Sequence, residues 1–308
     1  MLLKKIIILF FFSNTICSQN IVLNKLTLKP IPFVNIYEKG NKIGFYSNDK
    51  GFFVVPNTLK YSDTLIFSAL GYHERKIEIK ALKKNDIFLL KPKTELLDEV
   101  IIVSKKIKKS YKLQKLGITK NKSNYRQCIL STASKIAVYI PNTIDRSNIY
   151  IQNLIYKKLI VSYTTPIYRT KIKNKVVVRL QLYNVNPFTK KPNNPIIKDN
   201  IIVIVDKNKD INYDISKYNI KLPLDGLFIV LEVIGTKNKD NKIVNNYGNI
   251  LCYKGTEYKQ GKNTWRSFNG SEWQNEYKWF LNSIKNKKIK KEHSIYNAIF
   301  SIKVKSNK

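Results

Sequence analysis

Between Ile31 and Val103 the chain alternates short β-prone runs with turn chemistry, a spacing that suits strands and leaves no room for helices. Val34 and Ile36 alternate with Asn35 and Tyr37, Leu65 and Phe67 with Ile66 and Ser68, and Ile77 and Ile79 with Lys76, Glu78 and Lys80. A period of two sends one set of side chains inward and the other to solvent. Asn48-Asp49-Lys50-Gly51 reads as a turn in which Gly51 takes a positive φ, which would set Tyr46 and Phe53 on adjacent antiparallel strands. Gly71 plays the same part before Tyr72. The stretch from Ile21 to Ser104 is therefore expected to be all-β.

Several of these residues fall into a wider pattern. Pro32-x-Val34-Asn35, the Asn48-Asp49-x-Gly51-x-Phe53 turn, the run Asp63-Thr64-Leu65-x-Phe67-Ser68-x-x-Gly71-Tyr72 and a closing Leu96-x-Asp98-Glu99-Val100-Ile101-Ile102-Val103 together resemble the carboxypeptidase regulatory-like domain. The resemblance implies a transthyretin/Ig-like β-sandwich of seven or so strands, a module of exported Gram-negative proteins and of the amino terminus of outer-membrane nutrient transporters. Val22 to Pro30 departs from it in lacking a Gly-rich opening turn. In metallocarboxypeptidases the module is accessory to a separate catalytic domain, so the resemblance implies no peptidase activity. The chain beyond residue 104 lacks the amphipathic strand series of a transporter barrel.

The first residues read as a secretory signal, residues 1–18, with Lys4 and Lys5 ahead of an apolar Ile6 to Phe12 and cleavage before Gln19. That run is shorter than the roughly 20 residues of a spanning helix, and no transmembrane segment is expected in the mature chain. Asn14-Thr15-Ile16 fits a lipoprotein box poorly, so Cys17 is read as lost with the signal. Cys128 and Cys252 then remain; two cysteines carry no framework pattern, so the sequence leaves open a bond between them or two buried thiols. The boundaries predicted are residues 19–104 for the first sandwich, 105–120 for a basic linker carrying Lys105, Lys106, Lys108, Lys109, Lys112 and Lys115, and 121–308 for a second domain.

A formal charge of +35 raises nucleic-acid binding, because clustered cations release phosphate counterions. The excess is nearly all Lys, however, and the arginines (75, 126, 146, 169, 179 and 266) stand singly, whereas Arg supplies the fork that reads phosphates and bases. No specific nucleic acid is expected as partner. At 43% hydrophobic and 12% aromatic residues the chain should fold rather than stay disordered.

The second half again reads as strands, at Ala137–Ile140, Ile149–Tyr156, Val176–Tyr183, Ile201–Val205, Phe228–Ile234 and Ile299–Val304, with Pro and Gly between them. The segment Tyr213 to Glu232 and Arg179-Leu180-Gln181-Leu182-Tyr183 resemble an uncharacterised domain found after this sandwich in exported bacterial proteins. A second, jelly-roll-like β-sandwich is expected.

Candidate chemistry is sparse. His73 and His293 are far apart and in no His-Glu-x-x-His arrangement, while a catalytic zinc needs three protein ligands. Asp206-x-Asn208-x-Asp210-x-Asn212-x-Asp214 copies the alternating oxygens of a calcium loop. Yet Ile211 stands at the loop glycine and Lys217 at the bidentate carboxylate, so a polar hairpin between Ile201–Val205 and Tyr213–Ile215 is the preferred reading. Glu232 is the strongest single acid in an apolar strand and the candidate for a paired-carboxylate site; a buried charge needs a partner, so the structural reading, with Arg179, is preferred. Trp265, Trp273 and Trp279 gather around Asn269-Gly270, a hairpin signal, and serve either core packing or stacking on a sugar ring.

No residue is assigned a catalytic, cofactor-binding or metal role, and the ligand-binding residues are left unknown. The sequence points to a non-enzymatic exported protein of the cell envelope, in the periplasm, at the outer-membrane surface or secreted. Its expected partner is an envelope protein or a glycan. The alternative is a carboxylate-dependent glycan hydrolase in the second domain, which requires two carboxylates facing each other at about 5–10 Å.

Overall fold

The computed structural model describes residues 19–40, 43–60, 63–82, 85–93, 111–119, 126–144, 148–164, 175–206, 209–239, 242–245, 249–257, 263–278 and 296–307. The signal, the closing run Leu96 to Val103, residues 105–110 of the linker, and Cys17, Asn208, Trp279 and His293 lie outside them.

Seven strands form the first domain: β1 (Asn20–Asn24), β2 (Asn35–Glu38), β3 (Gly44–Tyr46), β4 (Phe52–Phe53), β5 (Thr64–Ser68), β6 (Arg75–Glu78) and β7 (Ile87–Leu90). They make a three-stranded sheet ordered β4-β1-β7, with β1 and β7 parallel, and a four-stranded sheet ordered β3-β2-β5-β6. Val22, Val34, Ile36, Leu65 and Leu90 are fully buried between the sheets, as the period of two requires. Phe67 stacks on Phe88 with centroids 5.1 Å apart, and Phe53 meets Phe67 edge-on at 5.5 Å.

Tyr46 and Phe53 do not lie on adjacent strands as expected. Asn48 Oδ1 accepts from the backbone N–H groups of Lys50 and Phe52, each at 2.9 Å, and this Asx turn carries the chain from one sheet to the other. Gly51 does take the positive φ, +77°. A Cβ there would come 2.9 Å from the carbonyl oxygen of Val22. Gly51→Val is therefore expected to cost roughly 2–3 kcal/mol, from the left-handed backbone and from the carbonyl it would crowd. An unchanged melting temperature would refute the assignment. Ile79, read as strand, opens a 3-10 turn at Ile79–Ala81.

The second domain carries β8 (Tyr111–Gly117), β9 (Arg126–Leu130), β10 (Ser134–Ile140), β11 (Tyr150–Tyr156), β12 (Leu159–Thr164), β13 (Lys175–Val185), β14 (Pro192–Pro195), β15 (Ile201–Val205) and β16 (Ile211–Asp214). It continues with β17 (Leu227–Lys237), β18 (Ile243–Val244), β19 (Asn249–Glu257), β20 (Thr264–Phe268), β21 (Gln274–Asn275), β22 (Tyr296–Ala298) and β23 (Phe300–Asn307). One layer is an eight-stranded sheet ordered β14-β13-β17-β10-β20-β21, with β15 also beside β13 and β18 beside β17. The other comprises two four-stranded sheets, β16-β11-β23-β8 and β12-β19-β22 with β9 beside β19. Leu180, Leu182, Ile229, Leu231, Leu154 and Phe300 are among the residues that fill the space between the layers. The chain is thus two successive β-sandwiches. Among the described residues no helix is long and apolar enough to cross a membrane.

Two expectations give way. Residues 111–117 of the supposed linker are β8, which pairs with β23 and buries Leu116; lysine-flanked positions mask a strand whose Leu116 faces the core. β15 and β16 are no hairpin either, since β15 pairs with β13 and β16 with β11. The two strands belong to different sheets, so the polar residues between them need no apolar alternation.

Asn35 and Tyr37, expected to face solvent, are buried at 5% and 6% exposure. The reason is the second domain, which covers that face: Phe33 and Tyr46 pack with Ala133, Val177 and Ile234. At this contact a Cβ on Gly44 would overlap the side chain of Asn269, and one on Gly270 would lie 2.7 Å from Cζ of Tyr37. The predicted Asn269-Gly270 hairpin exists, between β20 and β21, and its tip is a docking point between domains.

Candidate site at the domain junction

Three neighbouring strands of the eight-stranded sheet alternate cleanly. On β13, Val176, Val178, Leu180 and Leu182 enter the core, which turns Val177, Arg179, Gln181 and Tyr183 to the outer face. On β17 the same alternation turns out Phe228, Val230, Glu232 and Ile234, and on β10 it turns out Lys135, Ala137 and Tyr139. Register then decides the chemistry: Glu232 is directly opposite Arg179 on one side and Lys135 on the other. A cation, an anion and a cation form one row across the sheet.

The row is buried by the first domain and bonded to it. Arg179 Nη1 donates to Glu232 Oε2 at 2.8 Å, and Lys135 Nζ lies 3.4 Å from Glu232 Oε1. Tyr46 donates its hydroxyl to Glu232 Oε1 at 2.6 Å, and Arg179 Nη2 donates to the carbonyl of Phe33 at 2.6 Å. The Arg179 guanidinium also sits 5.9 Å from the centre of the Tyr46 ring.

Burial alone would raise the Glu232 carboxyl, but Lys135 and Arg179, with the hydrogen bonds from Tyr46 and Arg179, hold it at about 2. Burial works against the charge on Lys135, yet Glu232 outweighs it and leaves the ammonium above the ordinary lysine range. Tyr46 is raised well above the usual phenol range by burial and by Glu232. Glu232 therefore keeps no proton to donate near neutrality, and both its oxygens are engaged. That is a poor general acid. It is the structural partner of Arg179 that the sequence suggested.

Beside the row opens a cleft of about 200 Å³ between the domains. Asn35, Ser68, Gly71 and Tyr72 line it from the first domain, Lys135, Gln181, Tyr183 and Pro195 from the second. Asn35 Oδ1, Gln181 Oε1 and Arg179 Nε are buried in the protein without a hydrogen-bond partner. Lys93 and Glu74 stand exposed at the cleft, and Glu74 accepts from the Tyr37 hydroxyl at 3.2 Å. Burial and Glu74 push Tyr37 up to about 12.

The other candidates do not converge here. His73 is exposed, its backbone N–H bonded to Lys91. Asp210 Oδ1 accepts from the backbone of Lys158, and Asp214 Oδ1 from that of Ser216, so these oxygens of the calcium pattern satisfy local backbone. Among the described residues no three His, Cys, Asp or Glu gather as a metal site. Trp265 meets Phe228 edge-on at 6.3 Å and Trp273 meets Tyr183 at 6.0 Å, which makes both chiefly packing residues on the outer face. Cys252 is fully buried and disulfide-bonded, and the pairing of β9 with β19 puts Cys128 opposite it.

Lys135, Tyr46, Tyr183 and Asn35 carry no sequence signal that marks them for this site. Gln181 carries a usable one, since Arg179 and Gln181 are polar residues two apart in the run Val176 to Tyr183, which is otherwise apolar on both faces.

Residues 21–102 match the family model of the CarboxypepD_reg-like domain, in agreement with the resemblance drawn from the turns and strands. That family is non-catalytic. No curated protein matches the chain.

Proposed function

We propose that this protein, whose residues 21–102 form a CarboxypepD_reg-like domain, is a non-catalytic exported protein of the cell envelope that binds an envelope component. The observation that carries the reading is the junction: the charges of its ion row are paired with one another and Glu232 has no proton to move, while residues lining the adjoining cleft keep buried polar atoms without partners. Such a site is suited to holding a ligand rather than to transforming one. The bonded Cys252 supports export, because disulfides persist in oxidising compartments.

Fractionation of cells carrying the protein with a carboxy-terminal tag tests this. The expected product begins at Gln19 and is found in the periplasm or outer membrane; a product retaining Met1 in the cytoplasm would overturn the proposal.

A further inference from the structure

We infer that the interdomain cleft is a saccharide site that takes one hydroxyl-rich ring, an inference that rests on the binding role proposed above and gives it a ligand class. Charges of both signs wall the cleft, Arg179, Lys135 and Lys93 against Glu232 and Glu74, with the cations in excess by one. Among the residues lining it, the buried atoms left unpartnered are mostly acceptors, the amide oxygens of Asn35 and Gln181. A buried acceptor left unpaired costs about 1–3 kcal/mol, so an occupant that donates to both recovers a good part of that.

This pairing of acceptors with cations selects among ligand chemistries. A carboxylate or a phosphodiester would suit the lysines but has nothing to donate to the amides. An ammonium would donate, but Glu232 is already engaged by Arg179 and Lys135, and the three cations of the lining outnumber its two carboxylates. A hydroxyl donates and accepts at once, so adjacent hydroxyls can give to Asn35 and Gln181 while taking from Lys135. The volume, about 200 Å³, equals roughly seven water molecules at ~30 Å³ each, which is the scale of a single sugar ring. The last torsions of Asn and Gln are broad, so a modest rotation turns either carbonyl toward an occupant.

The test uses the full exported protein titrated with glucose and with N-acetylglucosamine, followed by calorimetry and by melting temperature. Millimolar sugar is expected to bind and to raise the melting temperature by linkage. Gln181→Leu removes one unpaired carbonyl at nearly constant volume, so it should fold as stably as the parent or better, while its sugar affinity falls about tenfold or more. Lack of sugar binding by the parent protein would overturn the inference, and so would equal affinity in a folded Gln181→Leu variant. Binding of N-acetyl-alanine methylamide in place of the sugars would overturn it as well, in favour of a peptide ligand. An envelope location without sugar binding defeats only this inference, whereas sugar binding by a cytoplasmic product defeats only the envelope proposal.

Discussion

Glu232→Gln is expected to destabilise the protein by roughly 3–5 kcal/mol, because it strands two cations in a buried row with no anion between them. The amide keeps the shape and can still accept from Tyr46, so the loss isolates charge from packing. Urea unfolding of the variant measures it; a change below about 1 kcal/mol would mean that water screens the row. Replacing Arg179, Glu232 and Lys135 together by Met, Leu and Met should cost far less than the single change, since no unpaired charge remains.

The same row sets an acid limit on stability. In the folded chain the Glu232 carboxyl falls from its ordinary 4.5 to about 2. A lowered carboxylate stabilises the fold above its unfolded value and loses that contribution as pH falls through the folded one. The window is thus from pH 4.5 down to about 2. The contribution at neutral pH is on the order of 3 kcal/mol. Unfolding free energies across that window should fall for the parent protein and run flatter for Glu232→Gln.

The first sandwich is readable in the sequence because its signals are local. The positive φ of Gly51 and Gly71 and the inward set Val34, Ile36, Leu65 and Phe67 all follow from residues within a few positions of one another. Gaps arise where distant segments decide the outcome. Asn35 and Tyr37 look solvent-facing by alternation and become buried because another domain lies on them. β8 looks like a charged tether because its pairing partner is β23, at the far end of the chain. The junction shows the same division. Arg179 and Glu232 are anomalous charges in apolar runs and so can be paired by eye, but Lys135 joins them only through the β10–β17 register. Tyr46 joins only through domain docking, for which a single sequence holds no signal.

Loss of the Cys252 disulfide should be comparably severe. The register across β9 and β19 sets position 128 opposite Cys252, and a link between the two cysteines would close a loop holding most of the second sandwich. In the chain-entropy account a loop of that scale restricts the unfolded state by an amount worth roughly 4–5 kcal/mol, with native packing able to reduce it. Cys252→Ala adds a small deficit, because the sulfur is fully buried and its removal leaves space. Reduction or substitution is therefore expected to lower the unfolding free energy by about 3–5 kcal/mol. The first sandwich, with its own aromatic core, should keep its near-ultraviolet signal to higher denaturant than the second. Peptide mapping under non-reducing conditions should recover a Cys128–Cys252 cross-link from the exported protein; two alkylatable thiols there would remove both the link and its support for an oxidising compartment.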